Sequence, residues 1–150
     1  MNTFKIYEYK EKASGLFGFL KRKAHKVPLG EIVFHNDKVL LVGKEIPLDE
    51  LRKINFPLFQ DYRGRNDEGK VSDGNNNVVE LYWSNSVKEV YCFALEKRYQ
   101  LRDVKQQLIV YYKAGKLNFE NLILILGLED YNAVQNFKNS LLVTKDGKEV

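Results

Sequence analysis

Gly30-Glu31-Ile32-Val33-Phe34-His35-Asn36-Asp37-Lys38-Val39-Leu40-Leu41-Val42 is two β-branched and aliphatic runs joined by Asn-Asp. Such runs pack well on a pleated surface, and Asn-Asp tolerates the conformations of a tight turn, so the stretch predicts a hairpin of 31–35 and 38–42. Upstream, Phe4-Lys5-Ile6-Tyr7-Glu8-Tyr9 alternates as a strand, with Phe4, Ile6 and Glu8 on one side. Downstream, Gly43-Lys44 predicts a turn into Glu45-Ile46-Pro47-Leu48, and Asp49 to Ile54 a helical turn or irregular strand. A second hairpin is expected from Val78 to Trp83 and Glu89 to Leu95, turning at Ser84-Asn85-Ser86. Between the two lies 61–77, glycine-rich and almost without aliphatic residues, expected as a long polar loop.

The chain then changes period. Leu101, Val104, Leu108 and Tyr111 or Tyr112 recur at helical spacing, with Arg102, Lys105 and Gln106 on the other side and Gly115 as a stop. Asn118 can cap a short helix from Phe119 to Leu126, ended by Gly127. Glu129 and Asp130 open a third, with Tyr131, Val134, Phe137 or Lys138, and Leu141 along one side. Thr144 to Val150 is expected to fray.

With 150 residues, 44% hydrophobic and 29% charged, the composition is that of an ordinary globular domain. A net charge of +4 is too mild to imply nucleic acid. Cys92 is the single cysteine, so an intrachain disulfide and a multi-cysteine zinc site are excluded; it is expected as a small buried apolar side chain. The amino terminus has no apolar core of signal-peptide length, and the run Leu122 to Leu126 is far too short to span a bilayer. A cytoplasmic setting is the expectation.

One segment interrupts the β pattern. Ser14-Gly15-Leu16-Phe17-Gly18-Phe19-Leu20-Lys21-Arg22-Lys23-Ala24-His25-Lys26 sets large apolar side chains directly before a cluster of cations. Phe17, Phe19 and Leu20 can enter a protein groove or a membrane interface, while Lys21, Arg22, Lys23 and Lys26 meet an acidic rim or anionic headgroups. The plainer alternative makes Leu16, Phe17 and Leu20 part of the core, on a helix covering one end of the sheet.

Several chemistries fail on their residues. Gly64 to Lys70 matches the first seven positions of a phosphate-binding loop, but Val71 stands where a hydroxyl must hold magnesium. Asp73, Asn75 and Asn77 alternate as calcium ligands do, yet Val78 takes the glycine position and Ser84 the closing acid. His25 and His35 have no ligand-spaced neighbour, and only residue type joins His35, Asp37 and Ser14 as a triad. As a DNA-reading pair, the last two helices would present Glu129 and Asp130 to phosphates. No catalytic, cofactor or metal residue is therefore expected.

The order of elements resembles a pleckstrin-homology-like domain of the bacterial or GRAM-related kind. The matching pieces are Gly30 to Leu41, Ile46-Pro47-Leu48-Asp49-Glu50-Leu51, the hairpin at 78–95 and the helix from near Tyr99, over residues 3 to about 113. The resemblance implies a bent antiparallel β-roll, or split barrel, plugged by a carboxy-terminal amphipathic helix; with the two further short helices read from the residues after Asn118, the fold expected is α+β. It divides the chain into a β domain with capping helix at 1–115, a helical appendage at 116–143 and a tail at 144–150. In lipid-binding members the matching cations would be Lys10 or Lys12, then Lys21 and Lys23 flanking Arg22. Lys23 in place of the expected arginine loses the bidentate fork that suits phosphate. The expectation is a non-enzymatic interaction module that docks a protein or self-associates. Anionic-membrane binding through 15–26 and a DNA-binding regulator of the LytTR β type are the alternatives.

Overall fold

The structure, a computed structural model, describes residues 3–9, 28–59, 64–65, 68–69, 71–72, 74, 77–97 and 99–146. Strands β1 (Thr3–Glu8), β2 (Gly30–Phe34), β3 (Lys38–Leu41) and β4 (Lys44–Pro47) form an antiparallel meander. A 3₁₀ turn, Leu48–Glu50, leads into β5 (Leu51–Leu58). A small ladder, β6 (Gly64–Arg65) with β7 (Val71–Ser72), precedes β8 (Asn77–Trp83) and β9 (Lys88–Phe93). Helices α1 (Lys105–Lys113), α2 (Phe119–Leu126) and α3 (Tyr131–Asp146) follow.

The large sheet has the order β4-β3-β2-β1-β9-β8-β5. Flat, its six inter-strand steps would separate β4 from β5 by about 29 Å. Leu48–Glu50 is all that joins those edges, and it spans no more than about 15 Å. The sheet therefore rolls. Phe34 of β2 and Phe56 of β5 stand four places apart in strand order, yet their ring centroids are 6.1 Å apart across the interior. The Lys44 ammonium of β4 lies 5.8 Å from the Trp83 ring of β8, across the open seam.

Alternation builds the interior. Phe4, Ile6, Ile32, Phe34, Val39, Leu41, Ile46, Ile54, Phe56, Val79, Leu81 and Phe93 are all buried. Helix α1 adds Leu108 and Tyr111, whose hydroxyl donates to the His35 carbonyl at 2.5 Å and faces that of Lys38 at 3.3 Å. Burial and the nearby Asp37 hold the Tyr111 hydroxyl well above its ordinary pKa, so it stays a donor. The β2–β3 end of the roll is thereby covered. Leu117, Leu122, Ile125 and Leu141 join the same cluster, so α2 and α3 pack on the roll.

The free edge of β5 is covered from outside the sheet. The Asn121 side chain of α2 acts as a one-residue strand: the Phe56 N–H donates to its Oδ1 at 2.6 Å, and its Nδ2 donates to the Phe56 carbonyl at 3.0 Å. Nearby, the Ile54 N–H donates to the Lys116 carbonyl, and Lys116 Nζ to that of Leu51. β4 is short and ends at Pro47, which blunts the other edge.

The α+β class and the antiparallel sheet follow the sequence reading; several details do not. The helical turn or irregular strand expected at 49–54 is both in sequence, a 3₁₀ turn and then a strand with register shifts, which runs on to Leu58 beyond the expected end. The turn after β3 is Val42-Gly43, one residue earlier than expected, because Lys44 pairs with Leu41. The helix expected from near Tyr99 splits into a 3₁₀ turn, Gln100–Val104, and α1. Buried Gln100 anchors the start of the 3₁₀ turn, accepting from the Glu96 N–H at 2.6 Å. Within 61–77, β6 pairs with β7, as a hairpin does. Tyr131 is 74% exposed rather than on the packed side of α3. That helix runs on to Asp146, through the start of the expected tail. Cys92 is half-buried opposite Tyr7 on the outer face, not in the core, and partial burial raises its thiol pKa. The caps at Asn118 and Gly127 are where the sequence put them: the Asn121 N–H donates to Asn118 Oδ1 at 2.7 Å, and Gly127 closes α2 in the left-handed region.

Candidate interaction surface

Strands β1, β3 and β8 run the same way, since each is separated from the next by an antiparallel neighbour. Their outgoing connections leave the sheet on one side, as a rim opposite the β2–β3 turn that Tyr111 holds. Each connection carries an exposed apolar residue. Tyr9 and Leu29 flank the first at 41% and 49% exposure, Val42 sits in the second at 52%, and Val87 in the third at 50%. Scattered single exposures are ordinary; these four share one rim.

Val42 is the most telling. Two residues join β3 to β4, so both take positive φ, 51° at Val42 and 80° at Gly43. Gly43 is suited to that region; a β-branched side chain is strained there. Packing offsets little of the strain. Val42 lies across Gly30, where an added Cβ would come within 2.9 Å of Val42 Cγ1, but half of the side chain stays in solvent.

The inner wall beside this rim is polar and aromatic. The Tyr91 hydroxyl donates to Glu89 at 2.8 Å; burial first, then that carboxylate, push its pKa up to about 12. The Trp83 indole N–H is buried with no acceptor among the described residues. On the outer face, the Glu80 carboxylate gathers Asn55 Nδ2 and the Tyr82 hydroxyl, each at 2.9 Å, and Lys88 Nζ at 3.6 Å. Burial alone would raise its pKa, but those donors and the ammonium outweigh it, and the carboxyl lies below its ordinary value. The unfolded chain therefore binds the proton first as pH falls. Glu80 stabilises fully above the ordinary carboxylate pKa, and the contribution is lost as pH drops through the folded value. Glu80→Gln is expected to flatten the fall of the thermal midpoint between neutral and acid pH. Equal acid slopes in the two proteins would contradict this.

The sequence-expected contact residues Phe17, Phe19, Leu20, Lys21, Arg22, Lys23 and Lys26 lie outside the described residues, as do Lys10, Lys12 and His25. Their flanks, Tyr9 and Leu29, place the ends of that connection at the rim, with the Leu29 N–H donating to the Ile6 carbonyl at 2.8 Å. Of the phosphate-loop-like stretch, Arg65 Nη1 donates to the Gly69 carbonyl at 3.0 Å, a hairpin contact. Among the described residues no three His, Cys, Asp or Glu side chains gather as metal ligands, and no helix is long and apolar enough to cross a membrane. Val42 escaped the sequence reading because a β-branched residue is not a turn signal; the pairing of Leu41 with Lys44 puts it there. The Glu80–Tyr82 alternation in β8 was the available sign of a polar outer face. No family model matches this chain, and no curated protein and no solved structure matches it.

Proposed function

We propose that the chain is a non-enzymatic interaction module on a pleckstrin-homology-like scaffold, docking a protein through the rim formed by the connections after β1, β3 and β8. Val42 carries this reading. A strained, half-exposed valine in a two-residue turn costs the fold stability that asparagine would restore, and a contact on that side chain is a reason to keep it. Tyr9, Leu29 and Val87 are exposed on the same rim, and Phe17, Phe19 and Leu20 lie in the connection that leaves and returns there. Val42→Asn is accordingly expected to raise the unfolding free energy by about 1 kcal/mol, because asparagine tolerates positive φ. A loss of stability in urea titration would remove the strain argument.

A membrane surface is the second reading, because Lys21, Arg22, Lys23 and Lys26 occupy the same connection. The described rim favours protein: Lys44 lies over Trp83, and Lys88 pairs with Glu80. Co-sedimentation with phosphatidylcholine vesicles containing phosphatidylserine separates the two. The protein is expected to stay in the supernatant at physiological salt. Sedimentation that is lost in a Lys21→Ala/Arg22→Ala/Lys23→Ala variant would replace protein by membrane. For a DNA regulator the helical cations are poorly placed, since Lys105 lies over the Phe137 ring and Lys138 over Phe119.

A further inference from the structure

Tyr82 stands on the outer face of β8, directly between Lys53 of β5 and Lys88 of β9. Its ring gathers three cations: the Arg52 guanidinium carbon at 5.2 Å from the centroid, Lys53 Nζ at 5.3 Å and Lys88 Nζ at 5.7 Å. Successive strand residues ordinarily point to opposite faces, so Arg52 and Lys53 should not share a ring. The register slips between Leu51 and Lys53, leaving Arg52 as the extra residue of a bulge. Bulges of this kind re-aim side chains, and here one brings two consecutive cations to one side.

Two of the three cations, Arg52 and Lys53, have no ion-pair partner among the described residues. Glu80 is the acid behind Tyr82, and Asn55, the Tyr82 hydroxyl and Lys88 already engage it. A ring quadrupole attracts each cation but does not cancel its charge. We infer that the Arg52–Lys53–Tyr82 patch binds the carboxylates of an acidic peptide segment. Charge complementarity selects an anion, and the surroundings select a compact one. Asp49 and Glu50 lie exposed immediately before the bulge, where a phosphate track, charged at every unit, would run onto them, whereas a peptide can set uncharged residues there and bring only one or two carboxylates to Arg52 and Lys53. The Tyr82 ring is already attended by three cations, which leaves no clear stacking platform for a base. The patch stands whether or not the rim docks a protein.

The test is fluorescence anisotropy of a fluorescein-labelled peptide with two adjacent glutamates flanked by glycine and serine, titrated with the full chain. Saturable binding is expected, weakening with added salt. In an Arg52→Gln/Lys53→Gln variant it should weaken at least fivefold, with the thermal midpoint nearly unchanged. Lys53→Gln alone, the milder change, should weaken it at least twofold. A Lys21→Gln/Arg22→Gln/Lys23→Gln variant should bind as wild type does. Absence of saturable binding, indifference to the Arg52 and Lys53 changes, or loss in the Lys21–Lys23 variant instead would overturn the assignment. So would an oligothymidylate of equal charge that binds more tightly and displaces the peptide.

Discussion

Phe34→Ala is expected to lower the unfolding free energy by about 3–5 kcal/mol, as large-to-small changes of buried phenylalanines do. Phe34 is 2% exposed, and its ring lies 5.9 Å from Phe4, 6.1 Å from Phe56 and 6.2 Å from Tyr111, centroid to centroid. Those neighbours belong to β1, β5 and α1. Phe4 is pinned by the β1–β2 ladder, Phe56 by the Asn121 side chain, and Tyr111 by its hydrogen bond to the β2–β3 turn. None can follow the shrinking side chain without breaking polar contacts, so the cavity stays largely open. Against a typical domain stability of about 5–15 kcal/mol, the loss is a large share. Urea titration reads it, and Phe34→Leu should recover much of the difference. A cost below about 1 kcal/mol would mean that the roll is not closed around this cluster.

Asn121→Ala is expected to cost about 3 kcal/mol, because it strips partners from two buried backbone groups of Phe56 at once. Alanine has neither the acceptor for that N–H nor the donor for that carbonyl, and the site lies at a covered sheet edge. Asn121→Asp is the informative companion. Ionised, it keeps the acceptor, loses the donor and places a charge in a buried site. Burial raises the pKa of such a carboxyl in the folded state, so this variant should regain stability as pH falls and the acid becomes a donor again. Hydrogen exchange at the Phe56 amide should accelerate near neutral pH in Asn121→Ala, and less in Asn121→Asp, which keeps the acceptor for that amide. An unchanged exchange rate would show that the β5 edge is held by other contacts.

These two sites also mark where sequence reading succeeds and stops. Phe34 was legible, because β-branched and aromatic runs around Asn36-Asp37 determine a hairpin locally. Asn118 and Gly127 were legible for the same reason: a helix cap is a matter of a few adjacent residues. Asn121 was not, since its partner Phe56 lies 65 residues away and nothing local marks the pairing. β5 itself was obscured by Pro57 and by two register irregularities, which break the alternation a strand should show. The Arg52 bulge that builds the cation cluster is one of them. In the candidate surface, the basic and apolar composition of 14–26 was plain in the chain. The strain at Val42 depends on a two-residue turn, and its register was fixed only by the pairing of Leu41 with Lys44.

Site-specific photo-crosslinking tests the docking rim most directly. A photoreactive residue at Val42 or at Val87, introduced in the cells that make the protein, is predicted to give the same discrete protein adduct. One at Asn132, exposed on α3, is predicted to give none. Adducts at Asn132 but not at the two rim positions, or at none of the three, would contradict the rim as the docking surface.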